Sequence, residues 1–334
     1  MTLAPWLLRQ LTLLRQHRAH ALLLSGPAGL GHYALGLELA RTWLCEQPTA
    51  QGSCGQCASC HAIDVRTHAD LFVLMPEVVA LEWGWPLDPR TQDKIDKKEL
   101  KPSKFIRVDP VREAVAFTQT TAARGQGRVV LVYPADRLNT ESANALLKTL
   151  EEPPGHTRFI LATEAVHGVL PTIRSRCVNQ VLQWPSAGEA LAWMAMQRPE
   201  APAALLELAL RAAGQRPDLA IDWIDAGLTA ADWVALPKAI AAGQGERMQS
   251  WTAQRQLDVL QKLCHDLMAV SARATPRYFA ASDLPPCPPM TQLNAWWKDL
   301  LAAAKTVEHP FSPALMAESW WLRAQQALTV HSRP

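Results

Sequence analysis

The sequence lacks an excess of charge of either sign. Its 33 Lys and Arg nearly balance 31 Asp and Glu, for a formal net charge of +2 at pH 7. That excludes a chain whose whole surface traps a polyanion, so any contact with nucleic acid has to come from a local patch. No apolar run reaches the length of about 18 residues needed to cross a bilayer, and no membrane span is expected. The N-terminus shows no basic stretch followed by an apolar core and a cleavage site, so the expected location is cytoplasmic. Four of the seven cysteines fall between Cys45 and Cys60. In a reducing compartment that clustering favours metal over disulfides. A length of 334 residues allows two or three domains.

Catalytic groups are lacking where a motif calls for them. The stretch Gly26-Pro27-Ala28-Gly29-Leu30-Gly31-His32-Tyr33 follows the apolar run Ala21–Leu24 and opens a helical pattern. Its spacing is that of G-x-x-x-x-G-K-[ST], in which backbone N–H groups cradle phosphates, Lys reaches the terminal phosphates and Ser/Thr holds Mg²⁺. Here His32 stands at the Lys position and Tyr33 at the Ser/Thr position. An imidazole is mostly neutral at pH 7 and too short to replace an ammonium. A phenol is too large to sit beside Mg²⁺. The cradle Gly26, Gly31, His32 and Tyr33 therefore reads as a relic, with no ATP expected in it. An alternative is an ATPase with an unusual loop, in which the backbone N–H groups from Gly29 to Tyr33 still hold phosphate.

What is present is an alternation of strands and helices in the first half. Ala21–Leu24, Leu71–Leu74, Val129–Val132 and Phe159–Ala162 read as buried strands. Ala34–Cys45 and Asn139–Glu152 read as helices. In the second, Ala143, Leu146, Leu147 and Leu150 share a face, Asn139 or Thr140 caps the start and Pro153-Pro154 ends it. The alternation predicts a parallel sheet covered on both faces, with the Gly-rich loop at its carboxyl edge. Residues 76–107 break the rhythm with Pro76, Pro86, Pro89 and Pro102 and a mixed-charge run. They read as an inserted surface loop. Its lysines at 94, 97, 98, 101 and 104 offer a contact to nucleic acid, but interleaved Asp93, Asp96 and Glu99 favour a solvated loop. Asp109-Pro110 reads as an N-cap followed by Pro at the first helical position. Beyond Trp184-Pro185 the pattern is helical, opened by the capping box Ser186–Glu189. Trp251, Trp296, Trp297, Trp320 and Trp321 are expected mostly in its core, with burial at a subunit interface as the alternative.

Cys54-x-x-Cys57-x-x-Cys60 lies in a polar turn, and Cys45 ends the preceding helix. Four thiolates at this spacing can close on one tetrahedral Zn²⁺, leaving no position for water, so the site reads as structural. His61 and His68 are spare ligands nearby. A zinc module that binds DNA on its own is another possible reading, but few basic residues flank the cysteines.

Several phrases together resemble one family: Leu22–Gly31 (LLLSGPAGLG), the four cysteines, Asn144–Pro154 (NALLKTLEEPP), Phe159–Thr163 (FILAT) and Thr172–Cys177 (TIRSRC). They resemble the delta-prime subunits of bacterial DNA polymerase III clamp loaders, within the AAA+ fold. The resemblance is dense over residues 1–180 and loose afterwards. It implies an α/β then all-α chain. A parallel-sheet AAA+ domain over 1–183 would carry the zinc knot 45–60 and the insert 76–107. A small helical lid over 184–230 and a C-terminal helical collar over 231–334 would follow. It also implies partners: the tau/gamma ATPase subunits, a delta subunit and, through the assembly, the sliding clamp and primed DNA. In active relatives the strand at 129–132 ends in Asp-Glu, but here Tyr133-Pro134 occupy those places. Such a chain would not be an enzyme by itself but a component of a nucleotidyltransferase complex. Arg176, set by Ser175 and Cys177, would act as an arginine finger on the neighbouring subunit's ATP. Lys148, Glu151 and Glu152 read equally well as surface charge at a helix end. Arg216 is a candidate sensor whose register is ambiguous by one residue.

Overall fold

The computed structural model describes residues 3–244, 248, 251–307 and 312–329. The chain divides into two compact units, Met1–Ser186 and Ala187–Pro334.

The first unit is built on a parallel sheet of β1 (Ala21–Ser25), β2 (Leu71–Leu74), β3 (Arg128–Val132), β4 (Thr157–Thr163) and β5 (Val178–Val181). The spatial order is β2-β3-β4-β1-β5. β1 registers Ala21 against Phe159 of β4, and β3 registers Val130 against Phe159 on the other side. The central strands β1 and β3 are buried along their whole length. That is why they read as unbroken apolar runs rather than alternating ones. β5 forms an edge, with Val178 44% and Val181 56% exposed. Its sequence Val-Asn-Gln-Val carries no buried-run signal, and the sequence reading missed it.

The helices of this unit are α1 (Pro5–Leu14), α2 (His32–Leu44), α3 (Ala58–Asp64), α4 (Glu77–Trp83), α5 (Pro89–Asp96), α6 (Val108–Gln119), α7 (Thr140–Glu151) and α8 (Pro171–Arg174). α7 begins as expected: the Asn139 side chain accepts the Ser142 N–H at 2.8 Å, a cap typically worth about 1 kcal/mol. Its face Ala143, Leu146 and Leu150 is buried against the sheet core.

Two local expectations are corrected. α6 starts at Val108, not at Pro110. Proline is tolerated through the first turn, where the N–H groups have no intrahelical acceptor, so Pro110 marks the start of the helix without fixing its first residue. The segment 76–107 holds α4 and α5 rather than a loop. Two of its four prolines begin helices instead of breaking them: Pro76 precedes α4 and Pro89 opens α5, with the Asp88 carboxylate accepting the Thr91 N–H at 3.0 Å, while Pro86 and Pro102 lie in the connections. The base of the segment is tied down. Buried Glu77 accepts the Ser103 N–H at 2.8 Å and pairs with Arg107 at 3.3 Å.

The second unit contains α9 (Ala187–Gln197), α10 (Ala203–Ala212), α11 (Pro217–Asp225), α12 (Ala230–Ala241), α13 (Ala253–Ser271), α14 (Met290–Thr306) and α15 (Pro313–Leu328). One apolar core runs through them, from Ala190 to Leu328. Trp296 and Trp320 are buried in it, and Trp251, Trp297 and Trp321 pack against it, as expected for most of these rings. Trp233 stacks on Phe279 with centroids 4.5 Å apart. Buried Asp266 accepts the backbone N–H groups of Arg277, Tyr278 and Phe279 at 2.7–2.8 Å, fixing the turn that carries this stack. Asp266→Ala removes the acceptor of three backbone donors, of which the Phe279 N–H is buried and the other two partly so. It should cost about 3 kcal/mol, read as a lowered urea midpoint of the full chain. An unchanged midpoint would show that the turn is held by its rings alone. Among the described residues no helix is long and apolar enough to cross a membrane.

Candidate functional site

The Gly-rich loop leaves β1 at the carboxyl edge of the sheet and enters α2 through Gly31, whose φ of 82° favours glycine. His32, the first residue of α2, is 1% exposed. Its Nε2 lies 3.0 Å from where a Cβ at Gly26 would stand. The imidazole therefore folds back over the start of the loop instead of reaching outward as a lysine would. Burial holds its pKa down to about 4, so the ring is neutral at physiological pH. The Ser25 backbone faces the ring and partly offsets that burial, and Glu164 Oε1 lies 3.8 Å from Nδ1.

The structure brings Tyr33 and Tyr133 together, 100 positions apart in the chain. Their ring centroids are 5.3 Å apart. Trp83, at the end of α4, lies 4.6 Å from Tyr33 and stacks on Tyr133 at 5.5 Å and 18°. Aromatic pairs of this kind contribute about 0.5–1.5 kcal/mol each beyond their burial. The Tyr33 hydroxyl accepts the Trp85 Nε1–H at 2.6 Å. Burial pushes the Tyr33 phenol up to about 12 and raises Tyr133 further, so neither offers an anionic oxygen to a cation. Asp136 is turned away to accept the Thr163 hydroxyl at 2.6 Å. The sequence reading missed Trp83 and Trp85. The available signal was two large rings in an otherwise polar segment.

The four cysteine sulfurs all lie within 4.8 Å of one another. Cys45 Sγ is 3.8 Å from Cys57 Sγ and 3.7 Å from Cys60 Sγ, and Cys54 Sγ is 4.0 Å from Cys60 Sγ. Tetrahedral thiolates around zinc, at a Zn–S distance of about 2.3 Å, would be separated by about 3.8 Å. The donor set and its spacing fit such an ion. Backbone N–H groups support ionised sulfur. Cys54 N donates to Cys45 Sγ at 3.3 Å, Cys57 N to Cys54 Sγ at 3.3 Å and Cys60 N to Cys57 Sγ at 3.4 Å. Against a burial that would raise it, the Cys60 and Glu46 backbone N–H groups and the neighbouring thiols hold the Cys57 thiol down to about 6, whereas burial pushes the Cys60 thiol up to about 12. Neither His61 nor His68 joins the cluster. His68 is buried and engaged elsewhere. Its Nδ1 accepts the Asp70 N–H at 3.0 Å and its Nε2 meets Ser59 Oγ at 2.5 Å, while Ser59 donates to the Leu44 carbonyl at 2.6 Å. The proton is thus on Nε2, and the ring braces α3 against the end of α2.

Arg176 follows α8 and is half-buried, whereas Arg174 is exposed. Its guanidinium lies on Glu151, with Nε donating to Oε1 at 2.7 Å and Nη2 to the same oxygen. Nη1 donates to the Thr172 carbonyl at 2.8 Å and approaches Ser175 Oγ at 3.4 Å. The phrases at 144–154 and 172–177 thus meet in one ion pair, which gives Glu151 a specific partner. Burial pushes the Cys177 thiol up to about 12, so that side chain packs rather than reacts. Arg216 is spent within its own unit, donating Nε–H to the Ala213 carbonyl at 2.7 Å and lying 3.7 Å from Asp258.

A five-stranded parallel sheet with a Gly-rich loop at its carboxyl edge, a four-cysteine insertion and a helical second unit defines an α/β protein of the P-loop type followed by an all-α unit. The family model described as "DNA polymerase III, delta subunit" matches residues 7–186. The chain is 42% identical to the DNA polymerase III subunit delta' of Pseudomonas aeruginosa over 203 residues, covering 61% of this chain and 55% of that protein. It is 32% identical to subunit delta' of Escherichia coli over 258 residues, covering 73% of this chain and 70% of that protein. Similarity extends to subunit tau of Escherichia coli, 31% over 160 residues, 48% of this chain and 21% of tau. The chain belongs to the delta-prime family of DNA polymerase III clamp-loader subunits. The matched region spans about half the length of the Pseudomonas relative.

Proposed function

We propose that this chain is a non-hydrolysing member of a clamp loader that supplies Arg176 in trans to a neighbouring ATPase subunit. The observation that carries the first half is the filled cradle. A neutral imidazole stands where an ammonium is needed, and Tyr33 and Tyr133 pack on each other where a hydroxyl and a carboxylate would hold Mg²⁺. Phosphoryl transfer depends almost entirely on positioned positive charge and metal, and the cradle supplies neither. The second half rests on Arg176 and on the family phrase around it. A guanidinium fork offers paired donors to a phosphate. On this reading the chain works in the cytoplasm as a fixed positioning element. The lid over 184–230 and the collar over 231–334 join it to tau/gamma and delta subunits, and the assembly places the sliding clamp on primed DNA. The thiolate knot binds structural Zn²⁺.

The test is reconstitution. The chain alone should neither retain labelled ATP nor turn it over. Added to the other subunits, it should raise their DNA- and clamp-stimulated ATPase rate. ATP turnover by the chain alone, abolished by a substitution at Gly31, would replace this reading with an enzymatic one. Failure to incorporate would reduce the family relationship to shared fold.

A further inference from the structure

Segment 76–107 carries two tryptophans, Trp83 and Trp85, that meet Tyr33 of the cradle. We propose that the turn Trp83-Gly84-Trp85 is a built-in occupant of the nucleotide site, a plug carried by the insert. The proposal rests on the reading of residues 26–33 as a relic phosphate loop.

Each part of the turn has a role. Trp83 lies against both residues that replace the metal-holding side chains, at 4.6 Å from Tyr33 and 5.5 Å from Tyr133. Mg²⁺ needs near-octahedral oxygen ligands at about 2.0–2.1 Å and keeps several waters. Three aromatic rings with centroids 4.6–5.5 Å apart put carbon where such an ion would need oxygen ligands and waters. Trp85 Nε1 uses the Tyr33 hydroxyl as its acceptor, so that oxygen is committed to the plug. The backbone makes the turn sharp enough to bring both rings back toward α2. Gly84 ends α4 at a φ of 67°, and the Trp85 N–H returns to the Ala80 carbonyl at 2.8 Å. Arg66 latches the turn from outside. Its Nη1 donates to the Gly84 carbonyl at 2.8 Å, and its guanidinium sits 5.6 Å from the Trp85 ring centroid. A Cβ at Gly84 would stand 2.7 Å from that Nη1, so the latch also depends on glycine. The base of α4 is anchored through Glu77 to Ser103 and Arg107. Occupant, hinge and latch therefore come from one segment plus one arginine outside it.

Amide hydrogen exchange on the full chain tests this, with and without millimolar Mg·ATP as the probe. In the wild type, peptides covering residues 26–36 should exchange slowly and ignore Mg·ATP. In Trp83→Ala/Trp85→Ala they should exchange at least about tenfold faster while β3 and β4 stay protected, since a local opening lowers protection only where contacts are lost. Arg66→Gln, at an exposed position, should give a smaller increase, and it decides the matter if the double variant loses its sheet. Unchanged exchange of residues 26–36 in the variants would overturn the plug while leaving the relic site in place. Protection of the wild type by Mg·ATP would overturn both.

Discussion

Arg176→Ala should lower the stimulated ATPase rate of a reconstituted loader by at least about tenfold, in keeping with arginine-finger effects of about 10³–10⁵ in other systems. The chain itself should stay folded. The Arg176–Glu151 pair is partly solvent-exposed, at 29% and 48% for the two side chains, and exposed pairs are worth about 0–1 kcal/mol. A large loss of rate with little loss of stability would separate a role at a neighbour's phosphate from a role in holding this domain together. Arg176→Lys keeps the charge but not the planar fork, so it should recover only part of the rate. Arg174→Ala removes the exposed arginine two positions away and should change the rate by less than about twofold. Equal stimulation by wild type and Arg176→Ala would keep the scaffold and discard the finger.

The second large effect concerns the thiolate knot. The purified chain should carry about one zinc per molecule, and less than about half an equivalent would end the assignment. Cobalt in its place should show the thiolate charge-transfer bands and tetrahedral visible spectrum of a four-sulfur site. Cys57→Ser or Cys60→Ser should lose the metal and, with it, the order of residues 45–64. Structural zinc contributes about 10–16 kcal/mol of apparent binding energy in small peptides, far more than the N–H···S contacts that remain. The sheet should survive the loss, because outside that segment Asp70 accepts the backbone N–H groups of Ala123 and Arg124 without using the metal. His61→Ala should leave the zinc content unchanged, because His61 lies outside the sulfur cluster.

Residues whose environment is set by their own neighbours in sequence were legible in advance. β1, β3 and β4 announced themselves because burial demands apolar runs, and the edge strand β2, only half-buried at Leu71, Phe72 and Val73, because it is apolar all the same. The four cysteines did so because metal geometry demands short spacings. The altered cradle was visible because His32 and Tyr33 sit at fixed offsets from Gly26 and Gly31. β5 was not, because an exposed edge strand has no need of apolar side chains. α4 and α5 were not, because proline at a helix start and proline in a loop look alike until the backbone is known. What occupies the cradle was also out of reach. Tyr33, Trp83 and Tyr133 are each 50 positions from the next, and only the folded chain brings them together. The Arg176–Glu151 pair spans 25 positions for the same reason. Local chemistry named these groups, and the fold decided which of them face one another.

The filled cradle also has a consequence for how this domain responds to the energy state of the cell. A ligand shifts a conformational equilibrium only through its differential affinity for the two states, and it stabilises a fold only if it binds the folded form. On the proposed reading, a cradle packed with its own imidazole and aromatic rings offers ATP and ADP neither handle. The shape and stability of this domain would then be uncoupled from the ATP/ADP ratio. Where other P-loop domains change with each turnover, this one would keep a single reference geometry against which their movement can be directed.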